Sequence, residues 1–136
     1  MSTLLLDDVR TYLISQGLVE GSTGWSCTEA YMPDDADKTV AIFETGGLPA
    51  DTLDRKNRAV TFQTRVRAAR LDFTTARTKW QQIFDALQDA QVASGSPQSL
   101  VGYVFIQAMA VAPTHFNDNN GRPNLTSHRR CLRTGL

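Results

Sequence analysis

Residues 59–68 read Ala-Val-Thr-Phe-Gln-Thr-Arg-Val-Arg-Ala and run almost without a break into a helical pattern over 72–91. In an extended chain, side chains alternate between the two faces. Val60, Phe62, Thr64, Val66 and Ala68 therefore form one mostly apolar face, while Thr61, Gln63, Arg65 and Arg67 form the other. Such a strand requires a sheet covered on one side and facing something polar on the other. The following segment supplies the cover. Phe73, Ala76, Trp80, Ile83, Phe84 and Leu87 recur at the helical period, with Arg77, Lys79, Gln82, Asp85 and Asp89 outside the stripe.

The flanking segments fit the same plan. Ser2 or Thr3 caps a first helix whose Leu5, Leu6, Val9, Tyr12 and Leu13 share one face, whose Asp7 and Asp8 suit the positive end of the helix dipole, and which Gly17 ends. Trp25, Cys27 and Tyr31 alternate with Ser26, Thr28 and Ala30 as in a strand, and Pro33 with Asp34, Asp35 and Asp37 marks a surface turn. Residues 38–45 are β-rich, and Gly46-Gly47 opens a polar loop reaching Asn57. Residues 101–111 are apolar on both faces, the pattern of a central strand. Residues 113–123 are rich in turn formers around Asn120-Gly121, and 124–133 reads as a closing strand with Leu125 and Cys131 on one side. The expected order is α-β-β-β-α-β-β: one α+β domain over 1–136, with an antiparallel or mixed sheet of about five strands and two helices on one face.

Chemistry is sparsely represented. GxSxG, GxxxxGK[ST] and GxGxxG are absent, and His115 and His128 lack the spacing that sets two metal ligands on one helical face. Asp34, Asp35 and Asp37 lack the glycine and terminal glutamate of a calcium loop. The expectation is no enzyme, no metal and no cofactor. No apolar run approaches the roughly 20 residues of a membrane helix, and the acidic N-terminus does not read as a secretory signal, so maturation in a cytoplasm is expected. Cys27 and Cys131 are read as reduced thiols, with a disulfide open only if their α-carbons approach within about 7 Å.

Charge is distributed unevenly. Residues 1–54 hold ten acids against two bases, a net of −8, so the remainder carries +8 within a total of zero. The split suits an acidic surface meeting a basic surface on a neighbouring copy, a basic face for nucleic acid, or neutralisation within one fold. Arg65 and Arg67, with Arg129 and Arg133 on the last strand, are candidates to line one cationic subunit interface or ring lumen if those strands face the same way. Phe62 lies opposite Arg65 and Arg67, which favours carboxylates of a neighbouring subunit over stacked bases as their partner. The loop residues Leu48, Asp51, Asp54, Arg55 and Lys56 are candidate partner contacts, and Asp118, Gly121 and Arg122 a candidate functional turn.

The segment Phe62-Gln-Thr-Arg-Val-Arg-Ala68, the helix after it and the turn Asn117-Asp-Asn-Asn-Gly-Arg122 before an arginine-rich strand occur in an order that resembles the tail terminator and minor capsid, or head–tail joining, proteins of long-tailed bacteriophages. Thr64 departs from that pattern, which has an apolar residue there. The resemblance implies a structural virion protein in the tail–neck region, assembled in the host cytoplasm. It implies a homo-oligomeric ring, commonly six-fold, that caps the tail tube protein and meets a head connector or neck protein, with DNA passing through unbound and no membrane involved. A neck or head-completion protein of the same virion is the alternative, and a nucleic-acid-binding module a more distant one.

Overall fold

The computed structural model describes the backbone of residues 5–34, 36–48, 58–89, 103–108 and 112–133, and the side chains of 6–34, 36–45, 61–87 and 112–129. In chain order the elements are α1 (Leu5–Ser15), β1 (Ser26–Glu29), β2 (Thr39–Leu48), β3 (Arg58–Arg67), α2 (Phe73–Asp89), β4 (Tyr103–Ala108), β5 (Thr114–Asn117) and β6 (Pro123–Arg133). The sheet runs β1-β2-β3-β6-β4, with β5 also paired to β6. Only β1 and β2 are parallel. The α+β expectation of a mixed sheet along a five-strand path with two helices is met, with β5 as a short addition.

Two local expectations are corrected. The segment 113–123 contains the strand β5 before its turn, and 101–111 supplies a strand at the end of the path rather than its centre. The reason lies in β6. Its whole length from Asn124 to Arg133 pairs with β3, so only the opposite edge is free for further strands. There β4 takes the half from Arg129 to Arg133 and β5 the half from Pro123 to Thr126.

Both helices lie on one face. Val40, Val66 and Leu125 form one cross-strand row of that face, all fully buried, beneath Val9, Tyr12 and Leu13 of α1 and Ala76, Trp80, Ile83 and Leu87 of α2. The helices also meet directly, through Tyr12 Oη donating to the Ala86 carbonyl at 3.1 Å. Each fully buried Trp, Ile or Leu contributes roughly 1.5–3 kcal/mol. In the next row, Thr64 faces Ser127, and their hydroxyls are 2.8 Å apart in the interior. The polar residue in this apolar strand face is thus matched by a second one, which removes the penalty of an unpaired buried hydroxyl.

Local signals end the helices as expected. Gly17, at φ 72°, terminates α1, and Asp72 Oδ1 accepts the Thr75 amide at 3.2 Å at the start of α2. Phe73 does not join the core stripe. It is 44 % exposed and packs edge-on against the His115 ring of β5 at 4.9 Å.

Candidate functional site

The sheet face away from the helices carries the residues of opposite parity. Thr39, Ala41 and Phe43 of β2 stand beside Arg67, Arg65 and Gln63 of β3. These are followed by Asn124 and Thr126 of β6, then Phe116 and Thr114 of β5. At its middle the Arg65 guanidinium lies 5.3 Å from the ring centroids of both Phe43 and Phe116. Its Nε is buried without a hydrogen-bond partner. An arginine beside two rings is attracted to their π-faces, while its planar N–H fork still suits a carboxylate or other polar partner.

The end of this face is closed by the segment that joins β1 to β2. Because those strands are parallel, residues 30–38 must run back along the sheet. Two arginines hold them there. Arg67 is 3 % exposed and donates through Nη2 to the carbonyls of Pro33 and Ala36. Burial, together with repulsion from Arg122, lowers its pKa. Arg122, also buried, donates to the Asp34 carbonyl at 2.8 Å and the Asp118 carboxylate at 2.9 Å, with Asp37 at 3.7 Å.

The turn that carries Arg122 is organised by Asp118, whose Oδ1 accepts the Asn120 and Arg122 amides at 2.9 and 3.0 Å. Burial would raise this carboxyl, but those amides and the Arg122 guanidinium prevail and hold it below its ordinary value. Gly121 takes φ +74°, which suits glycine, and its carbonyl accepts the Leu71 amide at 3.1 Å, joining the turn to the β3–α2 connection. An open cleft of about 700 Å³ lies here, lined by Asp37, Arg70, Asp118, Gly121 and Arg122 among others.

The four arginines grouped by the sequence do not form one cationic surface. Arg129 pairs with Phe62 across β3 and β6 and so faces the helices. It is 1 % exposed, donates through Nη2 to the Phe84 carbonyl at 2.9 Å and lies 4.7 Å from the Phe84 ring centroid. Its Nε and Nη1 have no partner, and burial pushes its pKa down to about 10 despite the Asp85 charge. Arg67 is spent on backbone carbonyls. Arg133 pairs through its backbone with Arg58 and Tyr103, and its side chain lies outside the described residues. Among the described side chains of the set, only Arg65 remains on the helix-free face without such a tether. Leu48 ends β2 opposite Ala59, while Asp51, Asp54, Arg55 and Lys56 lie outside the described residues.

The two sheet edges differ. On β1, the outward amide and carbonyl of Cys27 are occupied by side chains: Glu20 Oε1 accepts the amide at 2.8 Å, and Arg10 Nε donates to the carbonyl at 3.1 Å. Arg10 and Glu20 themselves pair at 3.3 Å, so this edge offers no strand-pairing groups at Cys27. On β5, at the other edge, all four residues are exposed. Sequence reasoning missed Phe43, Phe116, Arg10 and Glu20. Phe43 had a signal in its alternation with Ala41, whereas the others depend on pairings that only the fold creates.

Among the described residues, no three of His, Cys, Asp and Glu are grouped so as to hold a metal ion, and no helix is long and apolar enough to cross a membrane. Cys27 is a free buried thiol, pushed up to about 12 chiefly by burial. Residues 12–125 match the family of bacteriophage tail terminator proteins. The chain belongs to that family. The match runs from Tyr12 in α1 through β1 to β5 and α2 to the first residues of β6. No curated protein matches the chain. A tail terminator is a structural component of the phage virion and meets other tail and head proteins.

Proposed function

We propose that this tail terminator closes the tail tube as a ring of copies, commonly six, and presents the interface through which head and tail join. The observation that carries the reading is the helix-free sheet face, where Arg65 sits between Phe43 and Phe116 on a chain of terminator type. Thr39, Ala41, Arg67, Asn124 and Thr126 of that face are buried within the subunit, so the part offered to a partner is Arg65 with the Phe43 and Phe116 rings, held so that it loses little freedom on contact. The partners are further copies of the chain, the tail tube protein and a head connector or neck protein. Arg65 is the candidate contact of the face, and the loop from Leu48 through Asp51, Asp54, Arg55 and Lys56 a candidate reach toward a partner. DNA passes through the ring without specific binding, because strong phosphate contacts would slow its passage.

The test is electron microscopy of isolated headless tails mixed with the purified protein. Added density confined to the head-proximal end, together with competence to join heads, is expected. Decoration along the tube, or no association at all, would refute the reading.

A further inference from the structure

Two of the large exposed apolar side chains, Leu71 (81 % exposed) and Phe73, stand at the β3–α2 connection and the start of α2, where Phe73 meets His115 of β5 at the far edge of the sheet from β1. Leu71 holds φ +62°, a backbone conformation that costs a branched residue energy and that glycine would take freely. A strained, solvent-facing leucine gains nothing for the lone subunit. Arg70 precedes it in sequence, and Arg77 lies one helical turn beyond Phe73. Among the described residues no ion pair joins either base to an acid.

The opposite edge has the complementary character. Just past β1 stands Tyr31, 60 % exposed, with its carbonyl held by Thr28 Oγ1 at 2.6 Å. Beside it the Glu29 carboxyl meets Asp7 of α1. Its pKa is raised first by burial, then by the hydrogen bond and charge of Asp7, with Arg10 opposing. Arg10 is already engaged by Glu20 and the Cys27 carbonyl. Among the described residues no ion pair joins the Asp7 or Glu29 carboxyl to a base, and Tyr31 follows Glu29 by two positions.

We propose that successive copies join edge to edge, with Leu71 and Phe73, flanked by Arg70 and Arg77, seating on Tyr31 and the Asp7 and Glu29 carboxylates of the next copy. The two patches lie four strand spacings apart, roughly 19 Å, on opposite sheet edges. A contact between unlike patches is heterologous, and it closes into a ring when the rotation per copy allows. Because side chains block the β1 edge at Cys27, copies meet through side chains and not through a continuous sheet. This inference rests on the ring reading above and names its contact.

The test uses the full chain in sedimentation and light scattering up to about 1 mM, the scale of weak association. Two double variants, Arg70→Glu with Arg77→Glu and Asp7→Lys with Glu29→Lys, should each lower association about tenfold or more, with melting temperature near wild type. Mixed one to one, they should assemble again, because each then offers the other a complementary patch at both edges. Leu71→Gly should melt at or above wild type, since strain is relieved, yet associate about tenfold or more weakly. Wild-type oligomers untouched by these variants, or variants that fail to complement, would overturn this contact and leave the ring reading standing. A wild-type chain that stays monomeric throughout would overturn both.

Discussion

Arg129 offers the sharpest test of the energetics. Burial sets its pKa at about 10, well below the ordinary guanidinium value. At about 1.4 kcal/mol per unit, the folded state bears roughly 3 kcal/mol for carrying this charge in its interior. The sign follows from the direction: a base whose folded pKa is depressed destabilises in full below that value, and is relieved only as pH rises from about 10 toward the ordinary guanidinium value. Arg129→Met removes that cost and keeps an unbranched apolar stem beneath Phe84, shorter than arginine by the guanidinium carbon and its terminal nitrogens. The change forfeits the ring contact, worth about 0.5–2 kcal/mol. It also forfeits the bond to the Phe84 carbonyl, about 1.5–3 kcal/mol in general for a charged donor and partly contained in the shift already. The expected net change in unfolding free energy lies within about 1 kcal/mol of zero or on the stabilising side. Urea titration with an unchanged slope measures it. A loss of about 3 kcal/mol or more would refute the reasoning, because that is the mark of breaking a paired buried charge.

Three further outcomes follow from the same geometry. Trp80→Ala empties the largest fully buried side chain and should cost about 3–5 kcal/mol in urea titration; a negligible loss would misplace the helix register. The depressed Asp118 carboxyl stabilises the fold above its ordinary pKa of 3.8, and that contribution fades as pH falls through its lower folded value. Asp118→Asn should therefore flatten the acid limb of a melting-temperature profile, and an unaltered limb would count against the turn's role. Cys27, with its thiol at about 12, should resist alkylation at pH 8 in the folded protein and react after denaturation, as peptide mass mapping would show.

Much of the architecture was legible because each signal acted locally. Alternation in 59–68, the stripe of Ala76, Trp80, Ile83 and Leu87, and the stop at Gly17 each reflect chemistry within a few residues. The arginine surface was not legible in that way. Arg65 and Arg67 share a face by parity within one strand, but the side on which Arg129 points depends on its pairing with Phe62, and sequence does not fix the register between strands so far apart. The aromatics beside Arg65 were missed for the same reason, since Phe43 and Phe116 reach it from separate strands. β5 was hidden because turn formers surround it, and its pairing with Pro123 to Thr126 overrides that local preference.

The hydrogen bond from Arg122 to the Asp34 carbonyl spans 88 positions of the chain. During synthesis the crossing is first held by Arg67, through the Pro33 and Ala36 carbonyls, and gains its second fastening only once Arg122 has been made. Closure of this end of the sheet face therefore comes in two stages, the later one dependent on residues far along the chain.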